Sequence, residues 1–165
     1  MQRAATKLSA QDWDAAAAVD TVVLDADERH RRRLVLTGER GTEFLLDLAE
    51  ASVLHDGDGL VLEGGAIVRV VGRPEPLVEV AAADAHHLAR LAWHLGNRHT
   101  DVQVVGDRLR IRRDHVLEEM LTKLGAALTP IEAPFEPERG AYEPGQQHHH
   151  AGDHHHHDDG PHHGR

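Results

Sequence analysis

Apolar side chains between residues 22 and 71 fall in short runs, at 22–24, 34–36, 44–46, 60–62 and 67–71. The breaks between them are turn-forming: 38–41, Asp56-Gly57-Asp58-Gly59 and Gly64-Gly65. Runs of this length between glycine- and aspartate-rich breaks read as β-strands, with Gly64-Gly65 as a two-residue hairpin loop. A small all-β domain over residues 1–74 is expected. Arg73-Pro74-Glu75-Pro76 cannot continue a sheet interior, because proline donates nothing to a ladder, and the domain boundary is placed there.

The period then changes. Residues 77–81 read as a strand, followed by a helix from about Asp84 to Leu95 with Leu88, Leu91, Ala92 and Leu95 on one stripe. Asp84 suits the N-cap and Gly96 the residue that ends the helix. Segments 102–105 and 109–111 flank Gly106-Asp107 as a hairpin. Asp114 caps a second helix to Leu124, stopped by Gly125, with Leu117, Met120, Leu121 and Leu124 facing the core. A last strand is expected at 128–131. The order βαββαβ over residues 75–134 makes this a ferredoxin-like domain and the whole chain α+β. From residue 135 to 165 apolar side chains nearly vanish, so burial cannot offset ordering entropy and a disordered tail is expected.

Composition sharpens this picture in one respect. Of 165 residues, 16 are histidine, and nine of those lie in the tail: His148, His149, His150, His154, His155, His156, His157, His162 and His163. A purification tag is usually an uninterrupted run, whereas here three clusters are interleaved with Asp153, Asp158 and Asp159. Imidazoles and carboxylates on a pliant segment suit borderline divalent ions, with affinity rising toward nickel and copper. Imidazole binds metal when neutral, so metal load is expected to fall as pH drops through about 6.5. There is no cysteine, which excludes disulfides and thiolate sites. The net charge is −10 and aromatics are 3%, which disfavours nucleic acid and anionic membranes as partners. No run approaches the ~20 apolar residues of a membrane span, and no signal segment is evident, so a cytoplasmic location is expected.

Outside the tail the sharpest candidate is His99, in Leu95-Gly96-Asn97-Arg98-His99 just past a helix end. One imidazole cannot satisfy a nickel ion, but an isologous dimer would bring two copies of His99 together, with the tails completing the shell. His94 follows His87 by seven residues, on nearly the same helix face, so both could flank such a site, or they and His86 could simply be polar-face residues. His115, after Asp114, suits either a surface ligand or a structural role. His30 and His55 read as solvated surface. No G-x-x-x-x-G-K-[ST] loop, H-E-x-x-H or G-x-S-x-G motif is present. Catalysis is therefore not expected, and any energy-dependent transfer needs a partner that hydrolyses nucleotide.

The stretches LHDGDGLVLEGG, LARLAWHLGNRH, LRIRRDHVLEEMLTKLG and IEAPFEPERGAY, followed by the histidine-rich end, resemble the UreE family of urease accessory nickel chaperones. The resemblance covers most of the chain. It implies a peptide-binding-like N-terminal domain and a ferredoxin-like metal-binding domain that forms a homodimer. It implies Ni2+ as cargo, with Zn2+ or Cu2+ able to compete, and the urease accessory GTPase, other accessory proteins and the urease apoprotein as partners. His99 matches the family's interface ligand, His94 and His115 match accessory positions in some relatives, and the tail histidines add capacity. Arg112 and Arg113 stand where some relatives carry histidines before Asp-His, which weakens a peripheral site there. Two rival functions follow from the residues alone: a nickel or zinc storage protein acting through its tail, and a metallohydrolase using His94, His99 and a carboxylate, which lacks recognisable ligand spacing.

Overall fold

A computed structural model describes residues 1–140. Ten strands form two sheets: β1 (Gln2–Leu8), β2 (Ala18–Leu24), β3 (Arg33–Thr37), β4 (Glu43–Asp47), β5 (Gly59–Leu62) and β6 (Ile67–Gly72) in the first, β7 (Pro74–Ala81), β8 (Gln103–Val105), β9 (Arg108–Arg112) and β10 (Ala127–Pro134) in the second. Helix α1 (Ala85–Asn97) follows β7, and α2 (His115–Lys123) lies between β9 and β10.

The first sheet runs β2-β6-β5-β1-β4-β3, with β1 parallel to β4 and β2 parallel to β6. Alternate residues point inward, so Val22, Leu36, Phe44, Leu46, Leu60, Val68 and Val70 make one core. β1 was not expected from the pattern: of its seven residues only Ala4 is buried, so a strand paired on both sides carries almost no hydrophobic signal. The Gly64-Gly65 hairpin is a three-residue loop and not a two-residue one. Leu62 N–H reaches Ala66 O at 2.8 Å, Gly65 N–H reaches Leu62 O at 2.8 Å, and Gly65 has φ +82°, the conformation that closes such a loop with a bulge.

The loop after β3 builds a cage for a buried carboxylate. Asp20 accepts from the N–H groups of Thr21 (2.7 Å), Arg40 (2.9 Å) and Thr42 (3.0 Å). Burial pushes its carboxyl upward, but the Thr42 side chain and the surrounding N–H groups outweigh burial and hold it at about 2. Gly38 is required beside it, since a Cβ there would lie 2.2 Å from Asp20 Oδ2.

The second sheet runs β10-β7-β9-β8, antiparallel throughout, and its two helices share one face. Val78, Val80, Leu109 and Ile111 point to that face and meet Leu91, Leu95 and Leu121 of the helices. Each such side chain withdrawn from water is worth roughly 1.5–3 kcal/mol. On the opposite face Glu79 pairs with Arg108 and Arg110, at 3.3 and 3.0 Å. β7 begins at Pro74, three residues earlier than the pattern suggests. Before Leu77 it is flanked only by β10, because β9 joins at Leu77, and a strand paired on one side accommodates Pro74 and Pro76.

The folded part also runs past residue 134, where a tail was expected. Phe135 is fully buried with Ala26 and Leu77 between the two sheets. Buried Arg29 donates to Leu24 O, Leu54 O, Phe135 O and Glu136 Oε1. Glu136 N–H and Glu138 N–H bond to Gln103 Oε1 and Val102 O. These residues strap the two halves together, a long-range contact that a count of apolar residues cannot reveal. Among the described residues no helix is long and apolar enough to cross a membrane.

Candidate metal centre

Helix α1 starts at Asp84, whose carboxylate accepts from His87 N–H at 2.7 Å. The His87 ring then folds back. Ala83 N–H points at Nδ1 (3.0 Å) and Nε2 lies 2.7 Å from Leu124 O. A ring nitrogen that receives an N–H carries no proton, so Nε2 is the protonated one and donates to Leu124. Both nitrogens are engaged in tying the start of α1 to the end of α2, and His87 has no lone pair to offer a metal. Of the two readings open for His87, flanking a site beside His94 or a place among ordinary polar-face residues, the engaged ring fits the second. His94, half-buried, shares a mainly apolar hollow with His86, Ala89, Arg90 and Trp93, and its ring meets Trp93 edge-on at 5.0 Å.

Trp93 was not singled out from the sequence. It is 66% exposed, on the side of α1 away from Leu91 and Leu95. Its signal was there to read: an indole among polar-face residues breaks the helix's own amphipathic pattern.

The other end of α1 differs from expectation in an informative way. Gly96 does not end the helix. It lies within α1, Arg98 is the C-cap, and the following residue, His99, has φ +54°. Thr100 N–H reaches Leu95 O at 3.3 Å and His99 N–H reaches Gly96 O at 3.0 Å, the paired bonds of a helix terminus turned by a left-handed residue. Glycine usually fills that position, at lower strain. Among the described residues His99 is the one non-glycine with positive φ. Histidine tolerates this conformation better than most side chains, and such outliers concentrate at functional sites.

The turn holds His99 exposed, and its ring makes no hydrogen bond or ion pair among the described residues. The carbonyl end of a helix also carries partial negative charge, so a cation beside His99 is favoured electrostatically. Two residues on, Asp101 bonds Arg112 at 3.3 Å, and Arg112 also holds Glu75 and Asp27 at 3.2 Å each and lies over the Phe135 ring at 4.9 Å. The loop bearing His99 is thereby anchored to the strapped junction.

His115 is exposed at the first position of α2, where Asp114 accepts from Val116 and Leu117 N–H at 2.9 and 3.0 Å. That is the positive pole of a helix and disfavours a cation. Arg113 donates to Glu118 at 2.7 Å, and that pairing raises the arginine's proton affinity. Arg112 and Arg113 thus have structural partners.

His55, expected as solvated surface, is exposed but lies 3.6 Å from Glu136 Oε2. Among the described residues no three His, Asp or Glu side chains converge as a ligand set. His99, His94 and His115 stand apart from such a set in one chain, and the tail histidines from His148 to His163 lie outside the described residues.

Known proteins supply the comparison. Residues 2–72 match the family described as UreE urease accessory protein, N-terminal domain, and residues 75–164 match its C-terminal domain. A urease accessory protein UreE of Bradyrhizobium sp. is 56% identical over 131 residues, covering 79% of this chain and 62% of its own length. One from Rhodopseudomonas palustris is 55% identical over 114 residues, covering 69% and 53%. One from Beijerinckia indica is 49% identical over 131 residues, covering 79% and 75%. The match thus spans between half and three-quarters of these relatives' lengths. With both halves matched and identity at this level over most of its length, the chain belongs to the UreE urease accessory protein family.

Proposed function

We propose that the chain is a cytoplasmic, homodimeric nickel carrier that delivers Ni2+ to apo-urease during metallocentre assembly, and that two His99 rings form its central site. The carrying observation is His99 itself, an unengaged imidazole in a strained turn at the negative end of a helix, in a chain whose described residues contain no complete ligand set. An isologous contact supplies the missing second imidazole with no new residue type. Trp93 and the hollow beside His94 offer an apolar face next to this end of α1, suited to burial between two copies. The sheet order β10-β7-β9-β8, with a helix in each βαβ unit, supports reading residues 75–134 as a ferredoxin-like metal-binding and dimerisation domain.

The histidines of the C-terminal stretch add ligands and capacity, with His94 and His115 as accessory positions. Zinc and copper compete for imidazoles by the same chemistry. The protein is a carrier and not an enzyme, so GTP-driven release belongs to the urease accessory GTPase and the other accessory proteins, with the β domain of residues 1–74 meeting a partner. Nickel titration of the full chain, of a chain stopped at Gly145 and of His99→Asn in each tests this. Asparagine is chosen because it tolerates positive φ, so the turn survives. The tightest site should persist in the shortened chain and vanish with His99→Asn; an unchanged tightest site in the shortened His99→Asn chain would refute the central site.

A further inference from the structure

Two sheets present four edge strands, and three are closed by different devices. On β2 the outward carbonyls are occupied: Val19 O by Arg40 (3.3 Å), Thr21 O by Glu39 N–H (2.8 Å) and Val23 O by Arg73 (3.1 Å). β8 has only three residues, and the strap crosses it through Glu136 and Glu138. β10 carries Pro130 and Pro134, which have no N–H to offer. Such blunting is how folded proteins keep edges from pairing.

β3 is different. Gly38 N–H bonds Thr42 O and Leu48 N–H bonds Arg32 O, so residues 32 and 38 face β4. In an antiparallel ladder the direction alternates, which turns residues 34 and 36 to β4 and leaves the N–H and C=O groups of Arg33, Val35 and Thr37 facing outward. Among the described residues nothing bonds to those three. Val35 is 56% exposed. Arg31, Arg32 and Arg33 are exposed at the head of the strand, the first two with no ion pair among the described residues, and Arg33 is only 3.9 Å from a shared Asp47. Three adjacent arginines in a chain of net charge −10 make a local positive strip.

We infer that β3 is a docking edge for an extended acidic segment of a partner protein, which adds a seventh strand to this sheet. The main chain of the segment bonds residues 33, 35 and 37, and its outer-face carboxylates lie across from Arg33 and near Arg31 and Arg32 at the head of the strand. The same arginines deter basic or neutral strands, which is how an open edge becomes selective. This rests on the reading of the β domain as a partner-binding unit and gives it a place and a chemistry; it does not depend on where nickel sits.

The test uses the full chain with a blocked heptapeptide alternating glutamate and valine, and its lysine-valine counterpart, followed by amide NMR and hydrogen exchange. The glutamate peptide should slow exchange at Arg33, Val35 and Thr37 about tenfold or more while leaving the already bonded Leu34 and Leu36 unchanged, and the lysine peptide should not. Val35→Pro removes an outward donor without taking a bond from β4, so the variant should fold with unchanged melting behaviour and weaken binding about tenfold. Unchanged binding by that variant overturns the inference, as does equal binding of both peptides. A change in oligomeric mass on Val35→Pro without peptide also overturns it, by making a second copy the occupant. Signals that move elsewhere on the β domain but not along β3 overturn the edge while sparing the partner-binding reading; no signal moving in the domain at millimolar peptide counts against both.

Discussion

The two helices of the C-terminal half each present an exposed histidine at one end, but at opposite poles. His99 follows the carbonyl end of α1, and His115 opens the amide end of α2. The carbonyl end favours a cation and the amide end opposes one, by an energy on the order of 0.3–1 kcal/mol for each exposed charge. His99 is also held in a left-handed turn, whereas His115 sits in ordinary helix behind a good N-cap. Exposure alone therefore does not rank the two histidines as candidate metal ligands. What separates them is the backbone that carries each ring and the field it stands in.

The comparison can be broken most severely by loosening the scaffold. Phe135→Ala empties a fully buried site between the sheets and should lower unfolding free energy by about 3–5 kcal/mol in denaturant melts. Were residue 135 part of a solvated tail, the change would be negligible. If the contrast between the two poles is local, the surviving folded protein should still rank His99 above His115.

Next in size is the direct contrast. In the chain stopped at Gly145, His99→Asn should weaken the tightest nickel site by about a hundredfold or more, equivalent to ~2.7 kcal/mol. His115→Asn should change it less than about threefold. Isothermal titration reads both; equal losses would show that the poles do not matter.

A smaller effect separates stability from metal binding. Asp20 is held at about 2 against an ordinary 3.8. Because its folded value is depressed, its contribution is present above pH ~4 and is lost as pH falls toward about 2, amounting to about 2 kcal/mol. Asp20→Asn should remove that pH-dependent increment in acid melts and leave nickel affinity at neutral pH unchanged. A wild-type stability flat between pH 5 and 2 would contradict the cage around Asp20.

Much of the fold was legible because buried strands and helices carry periodic apolar residues: β3 to β6, β9 and both helices fall where Leu34, Phe44, Leu60, Val68, Leu109, Leu91 and Leu121 place them. β1 was hidden because its inward face is a single alanine, and the strap because Phe135 meets Ala26 over a separation of more than a hundred residues. At the candidate site the exposure of His99 could be read from its place after a helix end, but the helix terminus was displaced: Gly96 looks like the stop, yet the left-handed position falls on His99. The engagement of His87 was invisible, since its ring meets Leu124 O, 37 residues away.

Native mass spectrometry of the chain stopped at Gly145, titrated with nickel, tests the shared central site most directly. The expected species is a pair of chains carrying one tightly held ion, with the ion lost from His99→Asn while the pair remains. A single chain that retains nickel just as tightly, or a pair whose metal survives His99→Asn, would contradict it.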